Sequence, residues 1–405
     1  MVNIAVLGYG TVGSGVVEVL RTNEESINAK AGDKINLKYV LDLRDFPGDP
    51  VEKVLVHDYD TILKDDDVKI IVEVMGGVNP AYNFVKSALL AGKSVCTSNK
   101  ELVAKHGAEL ISIAKEKNIN FFFEASVGGG IPIIRPLNQS LTADEILEIS
   151  GILNGTTNFI LTKMDKEGSN FDDVLKEAQD LGYAERNPAA DVEGYDACRK
   201  IAILSSLSIG SQVDFEDIYT EGITAITDID FKYAKKLQAT VKLIGQSKKT
   251  DKGFTAMVSP RMISLEHPLA GVNGVMNAIF VKGNVLGDVM FYGAGAGKLP
   301  TASAVVSDIV SAVRNINTNV EIKWNSEKVN LVRAEDVTSC FFVRIEGTPT
   351  SKMPEIEKAF GKVETVSLHD VTGEFAFITK EMSEKEYKNA ADGVNGIISM
   401  IRYEK

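Results

Sequence analysis

Three observations predict an α/β protein whose first unit is a doubly wound parallel sheet. Short apolar runs alternate with helical patterns through about the first 125 residues, the order that right-handed parallel crossovers produce. The first run ends on a glycine-rich turn, Gly8-Tyr9-Gly10-Thr11-Val12-Gly13. Beyond residue 131 the rhythm changes to α+β, and the last stretch reads strand-helix-strand-strand-helix-strand, a ferredoxin-like order.

Strands are expected at 3–7, 37–43, 70–75, 94–97 and 120–124. Helices fall between them at 11–21, 81–91 and 102–117, where apolar residues recur at helical spacing. This unit should span 1–133. Residues 134–299 form a substrate-binding and dimerisation domain, with strands at 146–153, 255–264 and 278–283 and helices at 171–181 and 196–209. A long helix at 300–316, with Val305, Val306, Ile309, Val310 and Val313 on one side, should return to the first domain. Residues 336–405 form the third unit, with strands at 341–346, 363–368, 374–379 and 397–403 and helices at 354–360 and 384–392.

At 405 residues the chain is long enough for two or three domains. Its 44% apolar and 25% charged residues are globular values. A net charge of −12 argues against nucleic acid or an anionic membrane as partner. No apolar run is long enough to span a bilayer, and the first strand starts too early for a signal peptide. Cys96, Cys198 and Cys340 lack metal-type spacing and read as reduced cytoplasmic thiols. The four histidines likewise form no metal or helix-face pair.

The glycine turn follows a strand and opens a helix, the context that a Rossmann-type dinucleotide fingerprint requires. Gly8 allows the tight turn, Gly10 the approach of backbone to pyrophosphate, and Gly13 the packing of helix on strand. Thr11 and Val12 open the helix whose free N–H groups face the phosphates. The second strand ends Leu41-Asp42-Leu43-Arg44. An acid there grips a ribose hydroxyl and an arginine a 2′-phosphate, so NAD and NADP both stay open, with Arg44 tilting the reading to NADP. Ser98 and Lys100 follow the fourth strand, over the crevice where open sheets bind ligands. Glu124 to Pro132 runs a strand into three glycines. That loop reads either as a domain hinge or as a turn of inward carbonyls for a hard cation. Asp191, Asp196 and Lys200 crowd one block, and the four-residue spacing of Asp196 and Lys200 stacks them on one helix face. With Glu185 nearby, three acids and a lysine can hold an ammonium and deliver a proton.

Together these motifs, with Thr97-Ser98-Asn99-Lys100-Glu101, Asn154-Gly155-Thr156-Thr157-Asn158, Gly182-Tyr183-Ala184-Glu185 and Gly293-Ala294-Gly295-Ala296-Gly297, closely resemble homoserine dehydrogenases from residue 2 to about 315. The resemblance implies NAD(P)-dependent interconversion of L-homoserine and L-aspartate 4-semialdehyde in threonine and methionine synthesis. It makes Lys200 the proton donor, Lys100 a second active-site lysine and Asp196 their neighbour. Glu185 would bind the substrate amino group beside Asp191, Thr156 and Tyr183. Gly182 and Gly297 would line the cofactor, and Glu124, Val127, Gly129 and Ile131 would hold a structural sodium, chiefly through backbone oxygens. In the oxidising direction Lys200 must first be neutral, so activity should rise toward alkaline pH.

The tail resembles an ACT domain, although Glu346-Gly347-Thr348-Pro349 stands where such domains carry an aspartate-x-proline-glycine turn. It is expected to be regulatory or assembling, and dispensable for turnover. A homodimer or homotetramer is expected, since open strand edges invite a partner. Two other readings are a catalytically silent amino-acid sensor, opposed by intact Lys100, Glu185, Asp196 and Lys200, and a Rossmann reductase of another amino-acid semialdehyde.

Overall fold

The computed structural model describes residues 1–404. They form two compact units: 1–145 with 202–215 and 291–329, and 146–201 with 216–290 and 330–404. The chain begins β1 (Val2–Leu7), α1 (Thr11–Thr22), α2 (Glu24–Ala31), β2 (Ile35–Leu41), β3 (Leu55–Val56) and α3 (Tyr59–Leu63). Next come β4 (Val68–Glu73), α4 (Ala81–Leu90), β5 (Ser94–Thr97), α5 (Lys100–Glu116) and β6 (Phe121–Phe122). These strands make one parallel sheet in the order β3-β2-β1-β4-β5-β6. That is the doubly wound order, whose reversal beside β1 opens a ligand crevice at the carboxyl ends of the strands.

The middle of the chain runs β7 (Ile146–Ile152), α6 (Gly155–Glu167), α7 (Phe171–Asp180), α8 (Ala189–Val192) and α9 (Tyr195–Ile209). It continues β8 (Ser211–Gln212), β9 (Tyr219–Thr220), α10 (Asp228–Lys236), β10 (Ala239–Thr250), β11 (Gly253–Ser264), β12 (Met276–Gly283) and β13 (Gly287–Ala294). Helix α11 (Lys298–Arg314) then packs within the first unit. Its Ala302, Val305, Ile309 and Ala312 join Ile4, Val6, Val16, Ile70 and Val72 in one buried cluster. Gly15 of α1 makes this approach close, since a Cβ there would stand 3.1 Å from that of Ala302. Residues 202–215, expected with the substrate domain, cluster with the first unit. Gln212 explains the attachment: it donates to the Ala104 carbonyl and accepts from the Trp324 indole at 3.0 Å.

Strand β14 (Asn325–Lys328) pairs with β8 in the first unit, and the tail comprises β15 (Thr338–Glu346), α12 (Pro349–Phe360), β16 (Glu364–Val366), β17 (Glu374–Ile378), β18 (Met382–Ser383), α13 (Glu384–Ala391) and β19 (Ile397–Glu404). The order β19-β15-β17-β16 is ferredoxin-like, over a core of Phe341, Val343, Ile345, Ile356, Phe360, Phe375 and Phe377. Helix α12 starts five residues before the expected Pro354, because Thr348 and Ser351 form a capping box and Pro349 takes the first-turn position.

In the second unit this sheet is not an isolated module. Strand β19 pairs in parallel with β11, giving a continuous run β12-β7-β10-β11-β19-β15-β17-β16. Buried ion pairs reinforce the seam: Arg344 with Asp230 at 3.0 Å, Arg402 with Glu221 at 2.6 Å, and Arg261 with Glu404. One edge of the tail's sheet, β19, is therefore filled by β11, and β16 forms the other edge. No helix among the described residues is long and apolar enough to cross a membrane, and none of the three cysteines is joined in a disulfide.

Candidate active site

In the first unit the glycine turn sits where β1 gives way to α1. Leu7 and Leu41 carbonyls accept from Val74 and Gly8, tying the turn to its neighbours. Gly8 adopts φ +98°, and a Cβ on Gly13 would lie 1.9 Å from the Gly8 carbonyl oxygen, so only glycine fits there. Gly10 caps α1 without a side-chain acceptor, and the first turn, Thr11 and Val12 included, holds no acid. That leaves the helix N-terminus free to receive phosphate.

At the end of β2, Asp42 accepts from the Tyr9 N–H at 2.8 Å. Arg44 forks onto the same carboxylate through Nε at 2.9 Å and NH2 at 3.0 Å, which holds Asp42 well below the usual carboxylate range. Both residues expected at the 2′ position thus engage each other. Sequence spacing did not expose a third acid, Glu73, which is fully buried at the end of β4. It accepts from Met75 N–H at 2.8 Å and Thr97 Oγ1 at 2.6 Å, and burial pushes its carboxyl up. Glu73 therefore locks the two loops that follow β4 and β5. The second of these carries Ser98 and, past the cap Asn99, places Lys100 at the first residue of α5.

Glu124 is also buried, and its carboxylate is spent on backbone: Oε1 accepts from Ile133 at 2.6 Å and Ile134 at 2.8 Å, Oε2 from Arg135 at 2.9 Å. Arg135 bridges it to Asp308, whose carboxyl is pushed up to about 7 by burial and then by the Glu124 charge. Val127, Gly129 and Ile131 lie on the same buried loop. Gly297 caps α11 at φ +120°.

In the second unit α9 does what the spacing predicts. Lys200 Nζ donates to Asp196 Oδ2 at 2.7 Å and to the Leu153 carbonyl at 2.7 Å, and both ionic partners are buried. Asn154, which sequence reasoning placed only in a strand-end run, is the hub. Its Nδ2 donates to Asp191 Oδ1 at 2.7 Å and Asp196 Oδ2 at 2.8 Å, while its Oδ1 accepts from Thr157 N–H and caps α6. Next on α6, the Thr156 hydroxyl donates to the Tyr183 carbonyl at 2.6 Å. That bond ties α6 to the turn after α7, where Gly182 stands at φ +76°. Glu185 ends this turn, exposed. The structure thus joins Asp191, Asp196 and Lys200 through Asn154, and Thr156 to Tyr183, while Glu185 stays outside the network on an exposed turn.

A dinucleotide fold in one unit and a buried lysine–carboxylate network in the other define an NAD(P)-dependent oxidoreductase. Family models for "Homoserine dehydrogenase, NAD binding domain" and "Homoserine dehydrogenase" match residues 8–124 and 132–310. The homoserine dehydrogenase of Bacillus subtilis is 39% identical over 98% of this chain and 95% of its own length. That of Synechocystis is 44% identical over 79% of this chain and 75% of its own. Among solved structures, a homoserine dehydrogenase from Thiobacillus denitrificans superposes with TM-score 0.91 at 35% identity, covering all of this chain and 98% of that one. A hyperthermophilic archaeal homoserine dehydrogenase in complex with NADPH covers 77% of this chain and 97% of its own, with TM-score 0.66 and 34% identity. The chain belongs to the homoserine dehydrogenase family, oxidoreductases of amino-acid biosynthesis.

Proposed function

We propose that Lys200 is the proton donor and acceptor in the interconversion of L-homoserine and L-aspartate 4-semialdehyde. The observation that carries the reading is the buried Lys200–Asp196–Asn154–Asp191 network. The bound nicotinamide supplies or accepts the hydride. In the reducing direction Lys200 gives a proton to the oxygen of the aldehyde, and its charge stabilises the developing alkoxide. Asp196, at 2.7 Å, keeps the ammonium aimed. In the oxidising direction Lys200 takes the hydroxyl proton, which requires the neutral amine. Glu185 and Asp191, with Thr156 and Tyr183, bind the substrate ammonium end. Lys100 provides a second cation for the substrate.

The cofactor is held by Gly8, Gly10, Thr11, Val12 and Gly13, with Ser98, Lys100, Gly182 and Gly297 completing its contacts. Arg44, 62% exposed along its side chain, favours NADP: it can turn from Asp42 to a 2′-phosphate. A sodium ion fits the loop from Glu124 through Val127 and Gly129 to Ile131 by backbone oxygens alone. The Glu124 carboxylate is already engaged, and no cluster of three acidic, histidine or cysteine side chains suited to a metal occurs among the described residues. The enzyme works in the cytoplasm as a homodimer or homotetramer. Dinucleotide reduction by the purified protein with L-homoserine, run with NAD and with NADP, tests this reading. Homoserine-dependent reduction, faster with NADP, supports it, and no reduction with either overturns it.

A further inference from the structure

The segment from Tyr219 to Ile223 lies between the tail and the block that carries Asp191 and Lys200. On its tail side, Glu221 Oε2 accepts from Arg402 NH1 at 2.6 Å and from the Tyr219 hydroxyl at 3.2 Å. Arg402 belongs to β19, is 1% exposed, and donates its Nε to Glu384 at 2.6 Å. Its guanidinium also stands 5.2 Å from the centre of the Tyr219 ring. Two carboxylates and an aromatic face thus fix one desolvated cation, and Glu221 is the partner that leads away from the tail.

On the other side the backbone presses against α8. A Cβ on Gly222 would stand 2.2 Å from the Val192 carbonyl oxygen and 2.6 Å from the Glu193 Cα. The next residue, Ile223, donates its N–H to that same Val192 carbonyl at 2.8 Å. Gly194 closes the contact from below, since its Cβ would meet Thr220 at 3.1 Å and the Glu221 carbonyl at 3.5 Å. Val192 to Gly194 is the turn between Asp191 and the start of α9, and Gly194 N–H donates back to the Asp191 carbonyl at 2.9 Å. Glu221 and this turn thus share one closely packed backbone contact.

We propose that Glu221 is a positioning residue for the substrate site. Held by Arg402, it sets through Gly222 and Ile223 the placement of Val192, and so of Asp191 and the helix bearing Asp196 and Lys200. The last strand of the tail then determines how well the substrate site is formed, with no tail residue touching substrate. This rests on the homoserine reading given above.

The test uses the full-length protein. Glu221→Gln removes the charge that Arg402 holds, and Gly222→Ala keeps the ion pair but pushes the segment off Val192. Both should raise the KM for homoserine about 2–30-fold with little change in the KM for the dinucleotide. Glu221→Asp should recover part of the loss. Amide exchange across 188–196 should quicken in Glu221→Gln, while the strands of the first unit exchange as in the wild type. An unchanged homoserine KM, or both KM values rising alongside a lower melting temperature, overturns the proposal. Should Glu221→Gln fail to fold, Arg402→Lys, which keeps the charge and loses the fork, is read in its place against the same criteria. A wild type that does not oxidise homoserine refutes the functional reading instead, and the exchange measurement still decides this one.

Discussion

Asn154→Ser isolates the hub of the lysine–carboxylate network. Serine keeps the cap on α6, because its hydroxyl can accept from Thr157 N–H as Asn154 Oδ1 does at 2.9 Å. It cannot reach the carboxylates, so the bonds to Asp191 at 2.7 Å and Asp196 at 2.8 Å are lost. Those two oxygens stand no farther apart than the two bonds laid end to end, 5.5 Å. At an effective dielectric of about 20, two like charges at that separation repel by about 3 kcal/mol. Lys200 still faces Asp196 in the variant, but the donor that bridges the two carboxylates is gone and they are free to splay apart. That movement spoils the seat of the substrate ammonium and the aim of Lys200. A 3 kcal/mol penalty corresponds to roughly a hundredfold in rate. We expect kcat/KM for homoserine to fall about 10–100-fold, with dinucleotide affinity close to wild type. Asn154→Asp, which adds a third carboxylate, should fall further. Steady-state kinetics with dinucleotide titration reads both quantities. A serine variant within about twofold of wild type would refute the idea that Asn154 holds the site together.

Arg44→Ala should weaken NADP strongly and NAD little; a wild type that already prefers NAD would mean that Asp42 governs the choice. The tail should resist removal. Arg344→Met strands Asp230, which is fully buried, and should cost about 3–5 kcal/mol in denaturant unfolding; a loss below about 1 kcal/mol would show that the seam does not depend on this pair. Lys242 is 1% exposed and donates to the Val272 carbonyl at 2.6 Å, and burial pushes its ammonium down to about 8. Because the folded value lies below the unfolded one, the cost is present below pH 8 and is relieved as pH rises toward 10.5. The wild type should therefore gain roughly 2 kcal/mol over Lys242→Met between pH 7.5 and 9.5, and parallel stability curves would contradict this.

Local periodicity made much of the molecule legible. The strand–turn–helix at Gly8 and the spacing of Asp196 and Lys200 depend on neighbours in sequence, and both appear as expected. Asn154 did not stand out, because its role arises only when β7 delivers it beside residues 37 and 42 positions away. The run from Asn154 to Asn158 read as a strand end. In the structure Asn154 caps a helix whose first residues, Gly155, Thr156 and Thr157, have poor helix propensity. Strand β10 escaped notice since Lys242, Gln246, Ser247 and Lys248 dilute its apolar pattern. No motif marks Glu73 or Asp308, and only burial reveals them as loop and helix anchors. The tail's order was readable, but its docking was not. A parallel pairing of β19 with β11, sealed by arginines, leaves no signature in either segment alone.

The central claim is that Lys200 moves the proton, and one comparison tests it most directly: turnover of L-homoserine by the wild type and by Lys200→Ala, with dinucleotide affinity measured alongside. Proton transfer through Lys200 predicts a fall in kcat of about 10²–10⁴ in the variant, with dinucleotide binding retained. A folded Lys200→Ala enzyme turning over homoserine at close to the wild-type rate would contradict it.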